Sequence, residues 1–458
     1  MSLGGAGRQK SEQLELALDN RGEAPTSQRS GEVPTAASEG GRSGSDHRLM
    51  EAVIGRANVR AAWKRVRQNR GSPGVDGMTV EDLPGHLAAN WPAIREQLLV
   101  GSYQPQPVKR QEIPKPGGGM RHLGIPTVVD RFIQQCLLQV LQPQFDPSFS
   151  EHSYGFRPGR RAHDAVRAAQ RYIQEGRRWV VDVDLEKFFD RVNHDLLMGR
   201  LAKRITDRRV LGLIRRYLEA GVMSDGVVME RYEGTPQGGP LSPLLANVLL
   251  DEVDRELEKR GHAFCRYADD CNVYVRSRRA GERVMEALIG LYAQLRLRVN
   301  RDKSAVARAW ERKFLGFGFW VAPGRVIRRR VAPQTLKEMR NRVRQITCRS
   351  GGRSLKAVAV ELREYLTGWK IYFHLAETPR VFRDLDEWIR HRLRAVQLKQ
   401  WKRGRTVYRE LRARGLSETG AATVAAYTRR WWHNASMNIH IALPTAYFDT
   451  LGVPRLGA

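Results

Sequence analysis

Cysteines, acids and long apolar runs are all scarce in this chain, and each shortage removes a class of protein. Four of its 458 residues are cysteine (Cys136, Cys265, Cys271 and Cys348), and no two stand as C-x-x-C. A disulfide framework or zinc module is therefore not expected, and a reducing, cytoplasmic setting fits. No apolar run approaches the ~18 residues of a membrane span. The N-terminus (MSLGGAGRQKSEQLELALDN) lacks the basic head and apolar stretch of a secretory signal, so no membrane partner is expected. Acids number 49 against 78 Lys and Arg, a formal charge of +29. A surplus that large points to a polyanionic partner, with nucleic acid first. Apolar residues make up 41% of the chain, enough for a sizeable core, which excludes global disorder. At a prior of ~150 residues per domain, the length allows about three domains.

Residues 1–45 are rich in Gly, Ser, Glu, Thr and Ala, have no sustained apolar period, and carry five basic against six acidic residues. They are expected to form a disordered leader. From about Asp46 the chain becomes globular. IPKPGGGMRHLGIP (Ile113–Pro126) predicts a β-hairpin around a glycine turn. DRFIQQCLLQVLQ (Asp130–Gln142) has helical periodicity and is expected to stop at Pro143. WVVDVDL (Trp179–Leu185) alternates as a strand should, with Val181, Val183 and Leu185 on one face and Val180, Asp182 and Asp184 on the other. FCRYADDCNVYV (Phe264–Val275) reads as strand, tight turn, strand, interrupted over Asp269–Asn272. After about Pro323 the texture changes. Residues 321–458 hold 28 Lys and Arg against 10 acids. Two apolar stripes at helical spacing (Leu362, Tyr365, Leu366, Trp369, Phe373, then Phe382, Leu385, Ile389, Leu393, Val396) predict a basic helical region.

Three carboxylates stand out: Asp184 at a strand end, and Asp269 and Asp270 at a hairpin turn. Nucleotidyl transfer needs two divalent ions ~4 Å apart, one at the attacking oxygen and one at the leaving group. Magnesium takes hard oxygen ligands and keeps waters, so two or three carboxylates on adjacent strands suffice. On residues alone the Asp pair has two readings. Aspartate is favoured in ordinary turns. Adjacent like charges beside Val273, Tyr274 and Val275 are costly without a cation.

Order decides between them. IPKPGGGMRHLGIP, SYGFRPGRRAHDAV, VVDVDLEKFFDRVNHDLL, GTPQGGPLSPLLANVLLDEVD, FCRYADD, LRVNRDKSAV and KFLGF follow one another along the chain. This series resembles the block order of reverse transcriptases encoded by bacterial group II introns, over roughly residues 46–445. The resemblance implies an α+β fold: a right-hand polymerase over 46–322, with fingers and an antiparallel palm sheet, then an α-helical thumb and maturase domain over 323–458. It implies RNA-directed DNA synthesis with two Mg²⁺ ions, on an RNA template and a DNA primer or target, from dNTPs. It also implies binding of group II intron RNA to assist splicing and mobility.

Carried over residue by residue, the resemblance makes Asp184 and Asp269 the main metal ligands and catalytic carboxylates. Asp270 is more peripheral, and Asp182 structural. Phe189 matches the ring that excludes a 2′-hydroxyl. Lys115 and Arg121 match the fingers cations that hold the triphosphate, although such charges also suit a solvated basic turn. Gln237 matches a glutamine along the template and nucleotide pocket, with Gly238 and Gly239 allowing close approach to a base pair. Asn300 and Lys303 match a motif near the nucleotide, and Phe314–Phe317 a primer-gripping loop, residues that equally suit a core strand. Among the C-terminal helices, Arg390, Arg394, Lys399, Lys402 and Arg403 are the expected RNA-facing cations. Trp388, Trp401 and Tyr408 suit either stacking on RNA or a helical core. The chain ends soon after the maturase block, without a His/Asn and paired-Cys endonuclease module, which resembles the short class-C forms. Two alternatives stay open: an RNA-binding maturase whose polymerase core is only a scaffold, and an intron-type enzyme recruited by its host for defence or repair. Clustered carboxylates favour the enzyme, because a scaffold has no physical need of them.

Overall fold

The computed structural model describes residues 48–114, 120–224, 227–229, 232–235 and 238–457. Lys115, Gln237 and the leader at 1–45 lie outside the described residues. The chain divides into two compact units, one comprising residues up to Ala165 with Trp179–Val306, the other Val166–Arg178 with Ala307–Ala458. The division therefore falls before residue 322, and it takes most of the helix Ala162–Gln174 into the second unit. Hydrogen bonds account for this. Gln170 donates to the carbonyl of Ile327 at 2.7 Å, and the Ile327 N–H donates to Gln174 Oε1 at 2.7 Å.

Among the described residues, two four-stranded sheets are built on the first unit, the last strand of one running on past Val306. In one, β1 (Val108–Pro114) and β2 (Met120–Ile125) form the antiparallel hairpin that the sequence predicts, in register from Lys109↔Ile125 to Pro114↔Met120. Two short strands extend it, β4 (Val222–Ser224) parallel to β1 and β5 (Val227–Met229) antiparallel to β4. The other sheet has the order β6-β7-β3-β8, from β3 (Trp179–Val183), β6 (Ala263–Tyr267), β7 (Asp270–Val275) and β8 (Ala305–Arg308). Both β6 and β3 run antiparallel to β7. On β3 the alternation is only partial. Val180, Val181 and Val183 are all buried, so both faces are covered, and Asp182 escapes full burial. Its partner in register is Asn272, whose amide donates to Asp182 Oδ1 at 2.9 Å once its two ends are assigned to satisfy both neighbours.

Two helices contribute large apolar faces to the core. Ser242–Lys259 buries Leu244, Leu245, Leu249, Leu250, Val253 and Leu257. Val128–Phe145 begins at a Thr127 cap that accepts from the Asp130 N–H, and it passes through Pro143 where the sequence predicted a stop. A proline in the last turn forfeits only a terminal hydrogen bond, so the helix closes on Phe145 regardless. The β6–β7 turn is tighter than expected: Tyr267 pairs with Asp270, leaving Ala268 and Asp269 as a two-residue loop, while Cys271 and Asn272 belong to β7.

In the second unit β9 (Phe317–Val321) and β10 (Ile327–Val331) form an antiparallel pair. The helices Pro333–Ile346, Leu355–Phe373, Pro379–Trp401 and Gly404–Ala413 follow, then shorter ones to Thr450. Both predicted stripes are buried except Tyr365, which is half-exposed. Rings of Phe317, Phe373, Trp369 and Phe382 pack in series with centroids 4.7–5.9 Å apart. Phe314 and Phe317 exchange backbone hydrogen bonds of 2.8 and 2.9 Å around Leu315 and Gly316, and both rings are core. Among the described residues, no helix is long and apolar enough to cross a membrane.

Candidate active site

Asp184 lies just beyond the end of β3, in a segment held by the loop 298–304. The Asn300 N–H donates to the Asp184 carbonyl at 2.8 Å, and the Asp184 N–H donates to Ser304 Oγ at 3.0 Å. Leu185 bridges Val299, and the Glu186 N–H donates to the Arg298 carbonyl at 2.9 Å. These bonds continue the strand's extended course and fix where the carboxylate leaves it. Lys303 Nζ stands 3.8 Å from Asp184 Oδ1. Both side chains are substantially exposed, so the pair contributes at most about 1 kcal/mol to stability. Its consequence is positive charge held beside the carboxylate.

Asp269 is presented by the two-residue turn, where Ala268 takes a left-handed φ of +58°. Asp184 and Asp269 line one cleft of about 460 Å³, together with Phe189, Asn300, Asp302 and Lys303. Asp270 is exposed at the start of β7 and is not part of that lining. Asp302, one residue before Lys303, was missed by the sequence reading; its place within the same motif was the available signal. From the other sheet, Met120 and His122 reach the cleft. Arg121 lies between them on β2, opposite Ile113.

Phe189 belongs to a tight turn, Phe188–Asp190, that follows Lys187 at φ +46°. Phe188 is buried core, and Phe189 meets it edge-on at 5.1 Å while lining the cleft. The loop at 234–235 supports this turn from behind. The Thr235 N–H donates to the Phe189 carbonyl at 2.7 Å. A Cβ on Gly234 would stand 2.9 Å from the carbonyl oxygens of Phe189 and Asp190, and its φ of +91° also demands glycine. Sequence reasoning singled out Gly238 and Gly239 instead. Within the chain, added Cβ atoms at those two glycines would meet the Gly124 carbonyl oxygen at 2.7 Å and Gln134 Oε1 at 2.4 Å.

Among the described residues, no three His, Cys, Asp or Glu side chains converge so as to enclose a metal ion by themselves. Two hard carboxylates on one open cleft do suit a cation that keeps waters and completes its shell from substrate oxygens. The donor chemistry thus fits a hard divalent cation such as magnesium.

The expected RNA-facing cations separate into three kinds. Arg390 is a correction. It is 2% exposed, and its guanidinium donates to Asp386 Oδ1, Asp449 Oδ1 and the carbonyls of Val453 and Pro454, so it ties the C-terminal segment to its helix. Arg394 is half-buried, donating to the Leu443 carbonyl at 3.0 Å with its guanidinium over Phe448. Lys399 places its ammonium 4.0 Å from the Trp431 ring centre. Of the five, only Lys402 and Arg403 are exposed, at the corner between two helices.

Comparison with known proteins agrees with this geometry. Residues 113–319 match the reverse transcriptase (RNA-dependent DNA polymerase) family, and residues 336–415 match the maturase-specific domain of group II introns. Protein YkfC of Escherichia coli K12 is 35% identical over 298 residues, 57% of this chain and 77% of YkfC. The group II intron-encoded protein LtrA of Lactococcus lactis subsp. cremoris is 37% identical over 195 residues, 42% of this chain and 32% of LtrA. A putative COX1/OXI3 intron 1 protein of Saccharomyces cerevisiae is 32% identical over 198 residues, 43% of this chain and 24% of that protein. The chain thus spans a third or less of the last two. With its two modules in succession and its palm hairpin formed, the chain belongs to the group II intron-encoded reverse transcriptases, polymerases of the divalent-metal-dependent class joined to a maturase domain.

Proposed function

We propose that this chain copies RNA into DNA at Asp184 and Asp269, using magnesium, and that its second unit binds group II intron RNA. The observation that carries the first part is the meeting of these two carboxylates, from a strand end and a two-residue turn, in the cleft that also holds Phe189 and Lys303. In the reaction the primer 3′-oxygen attacks the α-phosphorus of a dNTP, a P–O bond forms, and the bond to pyrophosphate breaks. Asp184 and Asp269 would hold the ions, which when bound acidify the attacking hydroxyl and offset charge on the leaving group. Lys303 adds positive charge beside the phosphates. Lys115 and Arg121, which flank the Gly117–Gly119 run in the sequence, are assigned to the triphosphate. Gln237 is assigned to the template side. The edge-packed Phe189 ring takes up the space a 2′-hydroxyl would need, favouring dNTPs.

The RNA-binding part rests on a cationic cluster in the second unit. The guanidinium groups of Arg344 and Arg392 stand 5.7 and 5.4 Å from the centre of the Trp388 ring, and Arg349 and Lys399 stand 5.7 and 4.0 Å from that of Trp431. Burial first, then the nearby Arg349 and Arg344, lowers the pKa of Arg392. Like charges gathered this closely favour a polyanion. Both indole rings are already faced by cations, so they brace these side chains for phosphate contact. Lys402 and Arg403 extend the surface.

Primer extension on an RNA template, with dNTPs and Mg²⁺, tests the enzyme directly. Wild type should extend and Asp269→Asn should not. Folded wild type that binds RNA without extending would instead favour the scaffold.

A further inference from the structure

The strand that leads into the catalytic turn carries an arginine with no access to solvent. Arg266, on β6, is 0% exposed, and so is its partner Asp254 on the helix Ser242–Lys259. Every N–H of the guanidinium finds an acceptor. Nε donates to Asp254 at 2.8 Å, and Nη2 donates to Asp254 Oδ2 at 2.5 Å and Ser153 Oγ at 2.8 Å. Nη1 donates to Asn247 Oδ1 and to the carbonyl of Ala268, both at 2.9 Å. That last bond falls on the residue immediately before Asp269, the one held at positive φ.

A second set of contacts converges on the same turn. Asn247 Nδ2 donates to the Gly155 carbonyl at 2.9 Å. The Gly155 backbone lies so close behind the turn that a Cβ there would stand 2.2 Å from the Ala268 nitrogen. Asn247 and Asp254 are seven residues apart, two helical turns, and so share the face that meets β6. The turn is thus gripped through Arg266 on one side and pressed by Gly155 on the other. A neutral, fully hydrogen-bonded ion pair adds little net charge at the cleft. Its effect is geometric, and the position of a metal-holding carboxylate is a quantity to which turnover is sensitive.

We propose that Arg266 is a positioning residue for the polymerase: through the Ala268 carbonyl it fixes the turn that presents Asp269, anchoring that turn to Asp254 and Asn247. The inference rests on the reading of Asp269 as a carboxylate of the polymerase site. Sequence alone offers no reason for an arginine at this place, since the RYADD run reads as a basic residue next to a motif.

Two substitutions on the full chain test it. Arg266→Lys keeps the charge opposite Asp254 but replaces a planar fork by a point charge that cannot also span Asn247 and Ala268. Gly155→Ala leaves the ion pair untouched and pushes the turn from behind, and no positive φ opposes alanine there. Melting temperature and RNA affinity establish that each variant is folded. Steady-state primer extension then separates kcat from KM for dNTP, and Mn²⁺ binding to the protein–primer–template complex is followed by electron paramagnetic resonance. Both variants should lose kcat by on the order of 10²-fold with KM nearly unchanged, and both should bind Mn²⁺ more weakly. A folded Arg266→Lys with wild-type kcat and Mn²⁺ binding overturns the inference. If Arg266→Lys fails to fold, the same result for Gly155→Ala overturns it. Wild type without extension, or Asp269→Asn with it, would instead overturn the underlying reading of the site and this inference with it.

Discussion

Each unit of the molecule holds, among its described residues, an arginine at 2% exposure or less, Arg266 in the first and Arg390 in the second, and the two are used differently. Arg266 is enclosed beside the palm turn with all its donors satisfied on side chains and on the Ala268 carbonyl. Arg390 is enclosed in the maturase helices, bonded to Asp386, Asp449 and two carbonyls of the C-terminal segment, and its Nε has no partner among the described residues. One holds a functional turn; the other closes a structural corner. Neither guanidinium is exposed, although Arg390 stands in a strongly basic region. The charge of a region therefore does not by itself map its binding surface. On the proposed reading, that surface is marked by like charge left crowded at the exterior, as around Trp388 and Trp431.

Substitutions in each set separate these roles. The largest effect is expected at the carboxylates: Asp184→Asn should reduce primer extension below detection while leaving intron RNA affinity near wild type, measured by filter binding. Arg390→Ala should destabilise the second unit by about 1–3 kcal/mol, because the Val453 and Pro454 carbonyls lose their buried donor while Asp386 and Asp449 keep other partners. Chemical denaturation reads this directly, and RNA affinity should fall only as the folded fraction falls. Replacing Arg344, Arg349 and Lys399 together with Ala should weaken intron RNA binding and flatten its salt dependence by about two to three counterions. Folding should be retained. Phe189→Ala should admit ribonucleotides, seen as a smaller ratio of dNTP to NTP incorporation.

The smallest effect concerns pH. Burial alone would raise the Asp207 carboxyl, but the donors of Arg209 and the Met50 N–H hold it below its ordinary value. A depressed carboxyl stabilises the folded chain above its unfolded pKa of about 3.9 and loses that contribution as the pH falls through the lower, folded value. The stability gap between wild type and Asp207→Asn should therefore close on acidification.

Much of the palm was legible because a strand repeats every two residues and a short turn has few solutions. The run WVVDVDL announced a strand ending in Asp184, and YADD announced a hairpin. What the sequence hid lies in contacts between distant segments. Ser304 on the Asp184 N–H, Gly234 under Phe189 and Gly155 behind Ala268 are each set by how loops meet, which periodicity does not encode. Helical stripes were equally legible, since Leu362 and Leu393 and their neighbours are buried as spaced. Which arginine on such a helix turns inward was not. Arg390 follows Ile389, and only the approach of Asp449 and Pro454 from the end of the chain decides its burial. Pro143 failed as a stop for a related reason: the cost of a proline depends on how many helical bonds lie beyond it.

On the proposed reading, chemistry and RNA affinity reside in different residue sets. A single experiment takes Asp269→Asn and the Arg344/Arg349/Lys399 alanine variant through the same two assays, primer extension on a short RNA template at low salt and intron RNA binding across a salt series. A double dissociation is expected: the first loses extension and keeps RNA affinity, the second keeps extension and loses RNA affinity. Loss of both properties in either folded variant would contradict it.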